Sequence, residues 1–165
     1  MLDARYFTPL LSALASDNYA PKTIAQLREA VGASSTRDVA DQLSALVCGT
    51  HVHVAPSNAA EREIVKRCQG LNQFILDDAA QGGQLRVLAS GIVGGAVRVT
   101  HVEQLFLRAM GEGASTPEGL AASALGQIER AGLSVAGERA EIVGAAGQFL
   151  TGRAHVLRSL GILQD

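Results

Sequence analysis

Hydrophobic positions at helical spacing predict three short helices in the first 50 residues. The first covers residues 4–16, the second opens at Pro21 and stops at Gly32, and the third is capped by Ser34, Ser35 or Thr36. The apolar positions that define the buried sides of these helices are Tyr6, Phe7, Leu10, Leu11, Leu14, Ile24, Leu27, Val31, Val39, Leu43, Leu46 and Val47.

The pattern changes at residues 50–56, where histidine alternates with valine. A period of two is typical of a half-buried strand, so we expect Val52 and Val54 to face the core and His51 and His53 to face water. Three helices followed by a strand is the order of a winged helix-turn-helix. The N-terminal part of the chain is therefore expected to be winged-helix-like.

A long helix is expected next, capped by Ser57 or Asn58 and running to about Ala80, where Gln81, Gly82 and Gly83 break it. Its predicted apolar side consists of Ile64, Val65, Cys68, Leu71, Ile75 and Leu76.

Residues 85–90 and 96–100 then predict a β-hairpin. Its turn contains Gly91, Gly94 and Gly95, where glycine would supply positive φ.

Helical patterns fill the remainder of the chain. One helix is expected from His101 or Val102 to Met110, and Thr116 followed by Pro117 predicts the start of the next. A further helix is expected from about Glu138 to Leu150, followed by an amphipathic tail over residues 153–162 that docks on the body. The fold class expected is mainly α with small β elements, divided into a winged-helix-like part (1–83) and a hairpin with C-terminal helices (84–165) that together form one compact body.

Composition and charge reduce the number of function classes that fit this chain. The net charge is -2, with only two lysines, and the arginines are scattered among acids. Phosphate binding depends on clustered cations, so nucleic acid is not the expected partner. Apolar residues never run long enough for a membrane-spanning helix, and nothing resembles a signal peptide. A cytoplasmic protein without a membrane partner is expected, with Cys48 and Cys68 as buried free thiols.

The sequence offers few candidate catalytic or metal-binding residues. His51 and His53 would share one face of a strand, but no third ligand lies at a suitable spacing, so no metal site is expected. The adjacent acids Asp77 and Asp78 lie near a helix end, and we interpret them as solvated. The glycines of residues 91–95 are followed by a strand rather than a helix, which indicates a tight turn and not a phosphate loop.

Three short stretches carry a family resemblance: Leu88–Ser90, Gln104–Leu107 and Leu157–Leu163. They resemble the C-terminal region of bacterial S-adenosylmethionine-dependent methyltransferases with a methyltransferase regulatory domain, a group that includes protein-lysine methyltransferases. The catalytic domain of that family has an acidic glycine-rich loop in a doubly wound sheet. Residues 1–84 supply no such loop, so the resemblance implies neither catalytic nor cofactor-binding residues in this chain.

The resemblance implies a non-catalytic accessory domain that packs against a methyltransferase catalytic domain, in the same chain or as a separate protein. Association with a second copy of this chain is a further possible partnership. The expected contact loop is Gly91, Ile92, Val93, Gly94 and Gly95, because a glycine turn between strands projects from the surface. The alternative function is a winged helix-turn-helix transcriptional regulator. The recognition helix of such a regulator would carry Arg37 beside Asp38 and Asp41, a charge pattern that does not favour DNA binding.

Overall fold

A computed structural model describes residues 4–49, 51–55, 62–133 and 139–163. The described chain is mainly helical and contains one two-stranded antiparallel sheet, which confirms the fold class at that level. Contacts divide the protein into two compact units, Met1–Ser57 and Asn58–Asp165. This division precedes the long helix, whereas the sequence pattern had suggested a seam after it, near residues 81–83.

The first unit consists of α1 (Ala4–Tyr19), α2 (Ile24–Val31) and α3 (Thr36–Cys48). Its core is formed by Phe7, Leu10, Leu27, Val39 and Leu46. The second helix starts later than Pro21 suggested, because Thr23 is the residue that caps it. The Thr23 side chain accepts from the backbone N–H of Gln26, and the Gln26 side chain accepts from the backbone N–H of Thr23. Gly32 ends α2 in the left-handed conformation, as predicted.

The strand expected at residues 50–56 does not form over residues 51–55, and Thr50 and Pro56 lie outside the described residues. Instead, the backbone N–H of His51 donates to Leu46 O (2.9 Å), which prolongs the turn at the end of α3. Val54 is 73% exposed and Val52 is half-buried, so only Val52 contacts the core. The prediction was wrong here because, among the described residues, no strand is available to pair with this segment.

The second unit contains the sheet and the remaining helices. In chain order its elements are α4 (Arg62–Ala79), β1 (Val87–Ser90), β2 (Gly95–Arg98), α5 (His101–Gly111), α6 (Pro117–Arg130), α7 (Arg139–Gln148), a π-helical segment (Phe149–Arg153) and α8 (Ala154–Ser159).

Local start signals for α5 and α6 act as the sequence predicts. Thr100 and Glu103 form a reciprocal capping box at the start of α5. Thr116 caps α6, and Pro117 occupies its first turn.

The β-hairpin forms as predicted, with Leu88 opposite Val97. Both side chains are fully buried and join the core of the second unit. Because α4 packs on β1 and on α5, the long helix belongs to this unit.

One face of α4 differs from the prediction. Ile75 is buried and Val65, Cys68 and Leu76 are half-buried, but Ile64 and Leu71 are exposed (43% and 52%). Asn72 is buried in their place. The expected caps Ser57 and Asn58 lie outside the described residues.

The C-terminal segment docks on the second unit, as its amphipathic pattern predicts. The helix from Arg139 continues through the π-helical segment into α8, although Glu138 lies outside the described residues. Leu157 is fully buried, and the carbonyl oxygen of Leu160 accepts from Ser90 Oγ at 2.6 Å.

Candidate functional site

A cleft of about 660 Å³ in the second unit combines charged and amide side chains from three helices. The end of α4 and the turn after it contribute Asp77, Ala80 and Gln81, α5 contributes Arg108, and α6 with the residue that follows it contributes Gln127, Arg130 and Ala131. Helix packing therefore brings together polar groups that lie far apart in the sequence.

One wall of the cleft is an ion-pair cluster around Arg108. Its Nε donates to Asp77 Oδ1 at 3.1 Å, and its Nη1 lies 2.7 Å from Glu112 Oε1. The two carboxylates more than neutralise the single positive charge of this guanidinium, and they fix its position. The Asp77 side chain stays 46% exposed, in keeping with its interpretation as a solvated acid, and it also pairs with Arg108, 31 residues along the chain.

The opposite wall lies on α6, where Gln127 and Arg130 are three residues apart and so share a face. Gln127 is 2% exposed. Its Nε2 donates to Ser123 Oγ at 3.0 Å, but its Oε1 is buried without a hydrogen-bond partner among the described residues. The Nε of Arg130 donates to Gly126 O at 2.9 Å, which holds the guanidinium beside the cleft.

The expected contact loop, Gly91–Gly95, is packed down along most of its length. Gly91 is buried, and a Cβ there would lie 3.0 Å from the backbone nitrogen of Val65, so the close approach of α4 requires glycine. Ile92 and Val93 are half-buried, which leaves Gly94 and Gly95 as the exposed tip. Only Gly94 has positive φ (63°), so that reason for glycine was wrong at the other two positions.

The other sequence candidates do not assemble into a metal or thiol site. Over residues 4–49, 51–55, 62–133 and 139–163, no three His, Cys, Asp or Glu side chains are placed to hold a metal ion. His51 and His53 are exposed. Cys48 is exposed and Cys68 half-buried, so the prediction of two buried thiols was wrong for Cys48.

The surface of α3 carries mixed charge. Arg37 is exposed, and so are Asp38 and Asp41 on the same helix. Within the described part of the chain, no helix is both long enough and apolar enough to cross a membrane.

Three buried polar residues that sequence reasoning did not single out as structural anchors fix the β-hairpin. Asn72 of α4 donates to Ala89 O and accepts from Ala89 N–H. Gln104 of α5 donates from Nε2 to Leu85 O, and Ser90 donates to the C-terminal turn at Leu160. The available signal was a polar residue at a buried helical position, as with Asn72 between Cys68 and Ile75.

Comparison of the chain with protein-family models, with curated proteins and with solved structures found no match.

Proposed function

We propose that this chain is a non-catalytic accessory domain of a S-adenosylmethionine-dependent methyltransferase that packs against the catalytic domain, in the same polypeptide or as a separate protein. The motifs behind the resemblance have structural roles that suit an accessory fold. Residues 88–90 lie in β1, and Gln104–Leu107 form the most buried turn of α5, with exposures of 0–4%. Residue types that build a core are those that a shared fold would retain.

The observation that carries the proposal is an exposed apolar stripe on α4. Ile64, Leu71 and Phe74, here called the α4 stripe, are 43%, 52% and 70% exposed, while Ile75 on the same helix is buried. Spacings of seven and three residues place Ile64, Leu71 and Phe74 along one helix face, which they share with the exposed Arg67 and Asp78. Apolar side chains clustered in this way mark a surface that a partner protein covers.

The backbone beside the stripe favours close packing. A Cβ built at Gly70 meets nothing within 4 Å, so this position lies open next to Leu71. A helix of the catalytic domain could approach the α4 backbone closely there, while Phe74 fills a pocket on that partner. Aromatic anchors of this kind dominate the binding energy of protein interfaces.

The winged-helix-like character of the first unit belongs to the same proposal. Helices α1–α3 follow the order of a helix-turn-helix, although residues 51–55 form no wing strand. The acids beside Arg37 on α3 would repel phosphate, which favours a packing role over DNA reading.

A binding measurement with a matched control tests the α4 stripe. The catalytic domain is taken from the reading frame that precedes Met1 or from a neighbouring gene, and its affinity for the full chain is measured by calorimetry. We expect the double variant Leu71→Ser/Phe74→Ser to bind at least about tenfold more weakly, equivalent to about 1.4 kcal/mol. Leu85→Ser removes a similarly exposed leucine (50%) outside α4 and should bind normally. Full affinity of the double variant, or no binding by the unmodified chain, would contradict the proposal.

The tip of the contact loop gives a second contact point. Gly95 does not have positive φ, and a Cβ there meets nothing within 4 Å, so Gly95→Lys should fold normally. We expect this variant to weaken binding of the catalytic domain; unchanged affinity would remove the loop from the interface.

Titration of the chain with S-adenosylmethionine tests whether cofactor binding belongs to the catalytic domain alone. No binding heat is expected, since the cofactor belongs to the catalytic domain. Micromolar affinity would overturn the non-catalytic assignment, and salt-dependent binding of duplex DNA would favour the regulator instead.

A further inference from the structure

We propose that a second copy of this chain covers the α4 stripe wherever the catalytic domain does not, with the two α4 helices packed antiparallel. The dimer rests on the face of α4 and does not depend on the proposed function. Its consequence does rest on that function: because both partners use the same stripe, self-association and binding of the catalytic domain exclude each other.

The face of α4 that carries the stripe has the spacing of a coiled-coil seam. Ile64, Arg67, Leu71, Phe74 and Asp78, here called the α4 seam, follow one another at intervals of three, four, three and four residues. This alternation is that of the a and d positions of a heptad repeat. All five side chains are exposed. Such a seam is completed by a helix that presents the same spacing, and a second copy of α4 presents it.

The two charged residues of the α4 seam select an antiparallel pair. In a parallel pair, Arg67 would lie beside Arg67 of the second copy, and like charges placed in this way repel each other. In an antiparallel pair, a positions lie opposite d positions, so that Arg67 comes opposite Asp78 of the second copy and Leu71 opposite Phe74. The two-fold axis repeats each contact. The pair therefore has two apolar layers in its centre and one ion pair at each end.

The same charges fix the register of the pair. A shift of one heptad would place Arg67 opposite Leu71 of the second copy and leave Asp78 opposite no residue of α4, which begins at Arg62. The guanidinium would then lose water without gaining an acid, which is costly. In the proposed register, Arg67 binds the Asp78 carboxylate in addition to its contacts within its own chain, since a guanidinium carries five N–H donors.

The interface is small, and its two kinds of contact contribute differently. Leu71 and Phe74 are 52% and 70% exposed, so the central layers remove apolar surface from water. The terminal ion pairs stay near solvent and contribute specificity more than affinity. Interfaces of this size belong to weak and reversible complexes, so we expect an equilibrium between monomer and dimer.

Sedimentation equilibrium of the full chain at low ionic strength, with charge-reversal variants, tests the pair. Arg67→Asp and Asp78→Arg each create two like-charge contacts and should raise the dissociation constant of the dimer at least about tenfold. An equimolar mixture of these two variants restores both ion pairs and should associate as the unmodified chain does. Lys66→Asp reverses the charge of an exposed residue outside the seam and should leave the dimer unchanged. An unmodified chain that stays monomeric at about 1 mM, or a mixture that does not associate, would overturn the proposal.

Addition of the catalytic domain separates this inference from the proposed function. We expect the dimer to dissociate into complexes that contain one copy of each protein. A dimer that forms in a chain without affinity for the catalytic domain would support the pair and remove the proposed function. A monomeric chain that binds the catalytic domain would do the opposite. A dimer that persists while the catalytic domain binds would overturn the mutual exclusion.

Discussion

At the residue scale, the β-hairpin is held by side-chain amides and a hydroxyl. Asn72 donates to Ala89 O at 2.8 Å and accepts from Ala89 N–H at 2.6 Å, so its amide replaces the neighbouring strand that β1 lacks on this side. Gln104 similarly bonds Leu85 O and accepts from Arg86 Nη1. A two-stranded hairpin is marginal by itself, and these bonds attach it to α4 and α5.

Replacement of Asn72 should be costly for this reason. Asn72→Leu removes both partners of Ala89 and leaves a partly buried peptide N–H and C=O unsatisfied, at about 1–3 kcal/mol each. We expect urea denaturation to show a loss of about 2–6 kcal/mol, the sum for the two groups. Gln73→Leu changes the adjacent, exposed amide and should stay within about 0.5 kcal/mol of the unmodified protein. Equal losses for the two variants would show that Asn72 acts only by occupying space.

Sequence reasoning failed at Asn72 and Leu71 for a physical reason. The helical spacing is compatible with burial of either residue. Which of the two is buried depends on the chemical group of β1 that α4 packs against. That group is the backbone of Ala89, 17 residues away, and it carries no sequence signal. A hydrophobic pattern therefore predicted the helix correctly but assigned Leu71 to the wrong side.

At the element scale, the helix starts and stops that depend on neighbouring residues could be predicted from the sequence. Elements that need a partner distant in the sequence could not. The Thr116 and Pro117 start of α6 and the Gly32 stop of α2 follow from local backbone chemistry, and both form. The strand at residues 50–56 needed a partner strand, and residues 51–55 do not form it. The C-terminal turn at Gly161 depends on both kinds of interaction. Its positive φ (67°) is a property of the local backbone, but its packing involves residues distant in the sequence.

Two glycines with the same backbone conformation separate these contributions. Gly132 and Gly161 both have φ of 67°, but a Cβ at Gly132 meets nothing within 4 Å, whereas one at Gly161 would lie 3.3 Å from Ile92 Cγ1 and 3.4 Å from Val65 Cγ2. Gly132→Ala should cost about 1–2 kcal/mol, the price of a left-handed non-glycine residue. Gly161→Ala should cost about 1 kcal/mol more, because it also crowds the packed loop and α4. Equal unfolding free energies by urea denaturation would show that the turn relaxes.

At the scale of the whole molecule, two apolar cores lie in two units whose boundary was not evident from the sequence. The glycines at residues 82 and 83 suggested a seam, but α4 is attached to β1 and α5 through Asn72 and Asp77. The cleft could not be predicted either, because Asp77, Arg108 and Gln127 come from three helices. Helix packing alone brings them together, and composition and spacing do not encode it.

If the two cores are energetically distinct, core truncation should destabilise one unit at a time. Leu27 in the first unit and Leu120 in the second are 1% and 0% exposed, and truncation of such a leucine to alanine costs about 2–5 kcal/mol. In hydrogen exchange measured by mass spectrometry, Leu27→Ala should accelerate exchange in α1–α3 while α5 and α6 keep their protection. Leu120→Ala should do the reverse, since local opening follows the contacts within each cooperative unit. Acceleration across both units by either variant would mean that the protein unfolds as a single cooperative body, and the boundary at Ser57 would then have no energetic meaning.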